Sequence, residues 1–255
     1  MMNNFQIESG VQFLTRIKNS KYSLKNIDNV LFTDGLKEGD IIEISAETVY
    51  YKNLILIHFL KKIALINEYS GISVGGLNSG IIFIDTAFEL NINKLVRCMQ
   101  CSINNLLCSP EDKKEIIRKS LENIIMIRCY DNKQLFLTFQ SLYNIILSNS
   151  KIKFIILDNI KNNYCQNLLS DKSTRVNLYE KKCLSVFQNC IKDFKVTSFY
   201  VKPNLFYFKN LFNSKEVNYK LHIEEKNELQ EVSITQNRVS KKLQFGISSD
   251  GIFWL

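Results

Sequence analysis

Gly39-Asp-Ile-Ile-Glu-Ile-Ser-Ala-Glu-Thr-Val-Tyr-Tyr-Lys-Asn-Leu-Ile-Leu56 reads as an apolar strand, a loop and the start of an amphipathic helix. A phosphate-binding loop of the form G-x-x-x-x-G-K-[ST] joins the same elements. Its glycines let backbone N–H groups curl round a phosphate, its lysine reaches the terminal phosphates, and its hydroxyl holds Mg²⁺. The four defining positions here are Ala46, Tyr51, Lys52 and Asn53, so only the lysine is kept. If the loop required positive φ at Ala46 or Tyr51, each would cost about 1 kcal/mol or more, and the ring would keep a phosphate at a distance.

Outward from this stretch the chain alternates. Ile41–Ile44 is a strand and Asn53–Ile66 a helix that is apolar round most of its circumference. Past a glycine-rich turn, Ile81–Asp85 is a strand ending in a carboxylate. A helix follows over Asn91–Leu107, then a second that starts at Ser109-Pro110-Glu111-Asp112, with proline at its first position and acids in its first turn. Ile124–Cys129, Lys153–Asp158 and Val196–Val201 are further strands, separated by helices over Gln134–Ser148 and Asn177–Phe194. Such alternation, with near-continuous apolar strands, predicts an α/β fold: a mostly parallel twisted sheet with helices on both faces. Ligands then bind at the carboxyl ends of the strands, where Lys52, Asp85 and Asp158 converge. From Tyr219 onward the period changes to two, which predicts an antiparallel β extension on the sheet edge.

The chain has 255 residues, a formal charge of +8 and two prolines. The charge favours an anionic partner, nucleic acid being the commonest, although biased codon usage also enriches lysine and asparagine. No apolar run is long enough to cross a bilayer, and Met1–Ile17 lacks the layout of a signal peptide. Seven cysteines, an odd number, suit reduced thiols inside a cell. Cys98-x-x-Cys101 has no second pair at zinc spacing and reads as a buried helix face. Two histidines, His58 and His222, leave little material for a Ser–His or Cys–His pair.

Several segments in order carry a resemblance: Glu8–Ile17, Gly39–Ile44, Phe83-Ile-Asp-Thr86 with Leu95-Val96, Ile155–Asp158, and the closing Phe245-Gly-Ile-Ser-Ser-Asp-Gly-Ile252. The chain resembles the RecA-like recombinases, and among them the eukaryotic recombination paralogues without a separate N-terminal domain. The resemblance implies a single RecA-like P-loop NTPase domain over 1–255. Residues 1–34 would form an N-terminal helix and lead-in, 35–210 an ATPase-like core, and 211–255 the β extension. It places Asp158 at the Walker B position and Asp85 in the family's Asp-Thr. Ala87 falls where the family has its water-polarising glutamate, and Asn53 where it has its Mg²⁺-binding hydroxyl. Neither can do that work. Glu89, two residues on, is expected to point elsewhere. Lys52 then reads as a helix-start lysine, and the two aspartates as loop caps.

The resemblance, with these departures, implies a pseudo-ATPase with no cofactor, ATP and Mg²⁺ being lost. It implies a non-catalytic, nuclear subunit of a mediator complex in homologous recombination repair of double-strand breaks. Its partners would be recombinase paralogue subunits, notably the paralogue lettered D, with DNA reached through the complex and no membrane. A weak DNA-dependent ATPase and a stand-alone single-stranded DNA-binding protein are the alternatives. The family's DNA loops correspond to about 159–175, with Lys161, Lys172 and Arg175, and to 202–215, with Lys202, Lys209 and Lys215. Phe206, Tyr207, Phe208 and Phe212 in the second segment suit base stacking. They suit a packed apolar helix better, since neighbouring aromatics are seldom left exposed.

Overall fold

The computed structural model describes residues 9, 27–160, 162, 176–203, 217–226 and 229–255. In chain order the elements begin with β1 (Ile41–Ala46), α1 (Val49–Ala64), a small hairpin of β2 (Glu68–Tyr69) and β3 (Ile72–Ser73), and β4 (Gly80–Asp85). Then come α2 (Ile92–Ile103), α3 (Pro110–Leu121), β5 (Ile124–Arg128), α4 (Asn132–Ser148), β6 (Ile152–Asp158) and α5 (Val176–Ile191). The last are β7 (Thr197–Pro203), β8 (Tyr219–Lys226), β9 (Leu229–Gln236), β10 (Val239–Ser248) and β11 (Gly251–Trp254).

Alternation within the apolar runs divides the strand side chains between two cores. Ile81 and Phe83 of β4, Phe154 and Ile156 of β6, and Phe199 and Val201 of β7 join the core under α1, α2 and α3. Their neighbours Ile82, Ile84, Ile155, Leu157 and Tyr200 face the opposite core, under α4 and α5. This two-sided cover is why the strands show no polar alternation in sequence.

The strands form a nine-stranded sheet in the order β11-β10-β9-β8-β1-β7-β6-β4-β5. The antiparallel extension is present over β9, β10 and β11. β8, however, runs parallel to β1, with Ile42 opposite Tyr219 and Ala46 opposite Ile223. β1 is therefore central. Tyr219, Leu221 and Ile223 of β8 and Val232 and Ile234 of β9 point to the core beneath α1, so this half of the sheet extends that core on one face. That is why α1 is apolar nearly all round: it packs on β1, β4, β8 and β11.

Both glycines of the closing motif have a use. Gly246 lies opposite Phe253, and a Cβ there would meet the ring 2.2 Å from Cζ. Gly251 turns the chain at φ +112. A buried polar knot ties the lead-in to the C-terminal strand: Asp28 Oδ2 accepts from Trp254 Nε1 at 2.9 Å and lies 2.7 Å from His58 Nε2. Burial works against the Asp28 charge, but the bonds from His58, Leu31 and Trp254 prevail and hold its carboxyl below the usual range.

Candidate functional site

β1 and α1 are joined by only Glu47 and Thr48, and the helix begins at Val49 rather than at Asn53. Thr48 caps it, its hydroxyl accepting from the Tyr51 N–H at 3.3 Å and its carbonyl from the Lys52 N–H at 3.1 Å. Tyr51, Lys52 and Asn53 are thus helical, and neither Ala46 nor Tyr51 has positive φ. The expected strain does not arise, because the contracted loop has dispensed with the left-handed turns. The Tyr51 and Lys52 N–H groups are spent on the cap and that of Glu47 on β8. The Glu47 N–H donates to the Ile223 carbonyl at 2.9 Å, and the Glu225 N–H to Glu47 Oε2 at 3.1 Å. Tyr51 is buried and its hydroxyl donates to the Glu225 carboxylate, so the ring fixes the loop to β8.

Lys52 and Asp158 meet, as the strand-end geometry requires. Lys52 Nζ lies 3.0 Å from both carboxylate oxygens of Asp158 and 2.6 Å from Glu89 Oε2. The lysine side chain is 8% exposed, that of Asp158 0% and that of Glu89 36%. Burial pushes the Asp158 carboxyl up to about 6; Lys52 opposes the rise, and Asp85 and Glu89 add to it. Asp85 is its register partner across β4 and β6.

The expectation that Glu89 points away is corrected. Asp85 Oδ1 accepts from the Phe88 N–H at 2.7 Å, and Phe88 takes a positive φ of 58. That turn reverses the chain just past Ala87 and sends Glu89 inward. Asn53 holds it there, its Nδ2 donating to the Glu89 carbonyl at 2.8 Å. Asn53 therefore serves as a brace for the loop after β4. Asp85 is the loop cap it was expected to be, with Arg128 Nε 3.9 Å from its second oxygen. Ala87, half-buried beside the turn, brings no polar group to the site. The Thr86 hydroxyl donates to the carbonyls of Asp158 and Asn159, tying β4 to β6.

Of the residues expected to touch DNA, Lys202 is described, and its ammonium lies 2.8 Å from Glu43 Oε2 and 2.6 Å from Glu180 Oε1. Burial disfavours its charge, yet the two glutamates raise its pKa above the usual lysine range. It is a partly buried cross-link between β1, β7 and α5. Lys161, Lys172, Arg175, Lys209 and Lys215 lie outside the described residues, as do the aromatic run 206–212 and the helix expected near the N-terminus. A Ser–His contact does occur, Ser45 Oγ lying 3.0 Å from His222 Nδ1. The two are cross-strand partners within β1 and β8, where no sharp turn presents the hydroxyl as a nucleophile. Cys98 is buried on α2, and no group of three metal-ligating side chains gathers among the described residues.

No family model matches the chain. The chain is 25% identical over 203 residues to the DNA repair protein XRCC2 of Mus musculus, an alignment covering 78% of this chain and 68% of that protein. That similarity, together with the fold, supports a distant XRCC2-like RecA paralogue. Lys52 and Asp158, which the resemblance places at the phosphate-loop lysine and Walker B positions, are bonded to each other. No helix among the described residues is long and apolar enough to cross a membrane.

Proposed function

We propose that this RecA-like paralogue acts in homologous recombination repair of DNA double-strand breaks as a non-catalytic subunit of a mediator complex. The observation that carries the reading is the lock on Lys52: its ammonium is already bonded to Asp158 and Glu89. A Mg²⁺–nucleotide does not fit the residues present. The loop has contracted, the N–H groups of Glu47, Tyr51 and Lys52 are engaged within the fold, Tyr51 fills the second glycine position, and Asn53 braces Glu89. The DNA-repair name of the mouse relative supports the process, and a stack of RecA-like subunits supplies a use for a closed site. A subunit that binds no nucleotide of its own can still offer its opposite face to a neighbour. The partners on this reading are other recombinase paralogues, notably the one lettered D, with DNA met through the complex in the nucleus. The whole chain, 1–255, is read as one RecA-like unit.

Titration of the full chain with a fluorescent ATP analogue tests the closed site. No saturable Mg²⁺-dependent binding is expected, and tight binding abolished by Lys52→Ala would overturn the reading. Co-expression with paralogue subunits tests the assembly, which predicts a stable complex on size exclusion. A second reading has one observation behind it. Glu89 is 36% exposed, so a neighbouring subunit could draw it off Lys52 and complete a weak ATPase. Turnover by the assembled complex that is lost in Lys52→Ala would select that reading.

A further inference from the structure

A cleft that includes none of Lys52, Glu89 and Asp158 lies between α2, the start of α3 and the β10–β11 turn, with Tyr50 at its rim. Its volume is about 1050 Å³. Lys94 and Arg97 from α2 and Lys113 and Lys114 from α3 line it, and no carboxylate among the described residues does. The pattern is set by sequence. α2 buries Leu95, Cys98, Met99 and Ile103 and contains no acidic residue, so the face carrying Lys94, Arg97 and Asn104 has no internal counter-charge. Asn93 and Gln100 extend it with amide donors. Of the acids of α3, Asp112 closes the capping box with Ser109 and Glu115 bonds Arg118, while Glu111 is exposed in the first turn and does not line the cleft. On the β10–β11 turn the residues lining the cleft are Ile247, Ser248 and Ser249. The carbonyl of Asp250, next in the turn, accepts from Lys61 at 2.6 Å.

We propose that this cleft binds single-stranded nucleic acid along its phosphodiester backbone. Cations spaced along a helix with amides between them match a row of phosphates, and an aromatic at the rim gives a base a surface to stack on. Tyr50 is 51% exposed, and Lys94 Nζ sits 4.5 Å from its ring centroid, so charge and stacking surface meet at one point. An acidic protein segment would satisfy the cations but has no flat base to place on Tyr50. Lys202 does not line the cleft. The assignment holds whether or not the chain joins a stack of subunits, so its failure and a failure of the mediator reading are told apart by different experiments.

The test is fluorescence anisotropy of the full chain with a labelled oligothymidylate over a NaCl series. Wild type is expected to bind with a steep salt dependence. Lys94→Glu with Arg97→Glu should weaken binding by at least about 100-fold and, with roughly 0.7 of slope lost per phosphate contact, flatten the log–log salt plot by about 1.4. Tyr50→Ala should weaken it roughly tenfold and leave the slope unchanged. Circular dichroism of each variant checks that it is folded. Photocrosslinking of the wild-type chain to a bromouracil-substituted strand needs no variant, and the adducts are expected on Tyr50, α2 or the start of α3. The proposal is overturned by absence of binding, by adducts confined to other segments, or by charge reversals without effect. Displacement of the strand by polyglutamate at equal charge, with Tyr50→Ala silent, would assign the cleft to an acidic protein partner and overturn it as well.

Discussion

Lys52 shows how a residue kept in identity can change in use. Its charge neutralises a buried aspartate, so replacing it should register first as a loss of stability. Lys52→Ala leaves Asp158 buried without its cation, and breaking such a pair costs about 3–5 kcal/mol. The loss should be larger at pH 7.5 than at pH 5.5, where Asp158 can take up a proton; urea unfolding at the two pH values measures the difference. In the intact protein the sign runs the same way. The folded-state pKa of Asp158 is raised to about 6 from 3.8, so between about pH 4 and 6 the native state binds more protons than the unfolded chain. Its contribution is fully present below pH 4 and is lost as the pH rises through 6. Asp158→Asn should remove that fall from a plot of stability against pH. Lys52, Asp85 and Asp158 were legible as a convergent set because strand-end positions follow from apolar runs. Glu89 was not, since its direction hangs on the positive φ of Phe88, which no residue type at that position announces.

At the scale of the element, the loop between β1 and α1 carries the lesson. Three positions that break the phosphate-loop pattern, Ala46, Tyr51 and Asn53, say what is missing. They do not say that the helix grows backward to Val49 and that Tyr51 anchors it to Glu225 of β8. Restoring the motif residues should therefore not restore the loop. Tyr51→Gly with Asn53→Thr is expected to destabilise the chain by about 3–5 kcal/mol through loss of a buried aromatic, and to leave it without affinity for a fluorescent ATP analogue. α3 is the contrasting case. Ser109, Pro110 and Asp112 announced its start in the sequence, and the capping box is formed. Ser109→Ala should cost about 0.5–2 kcal/mol in thermal or urea unfolding, because the cap is local and needs no tertiary partner.

For the whole molecule, the +8 charge matters by where it lies. Part of it is consumed in ion pairs, at Lys52 and Lys202, and part lines the cleft between α2 and α3, to which no described carboxylate contributes. If the closed site has no nucleotide to bind, its ion pair can be removed as a unit. Lys52→Met with Asp158→Asn eliminates both buried charges, a change that often leaves stability intact, and Glu89 is exposed enough to turn to solvent. Cells relying on that double variant should survive ionising radiation as cells with the wild-type chain do. Radiation sensitivity despite normal protein levels would show that the pair serves the complex directly.

The sequence by itself determined the α/β alternation, the two-sided cover of the central strands, the capped start of α3 and the loss of the phosphate-loop residues. These follow from local periodicity and from the chemistry of single side chains. Only the tertiary structure decided that β8 joins β1 in parallel and makes it central, that Tyr51 and Glu47 fasten the contracted loop to that strand, and that Glu89 completes the lock on Lys52. Each of these depends on contacts between residues far apart in the chain, whose register and direction are set when the two cores close around α1.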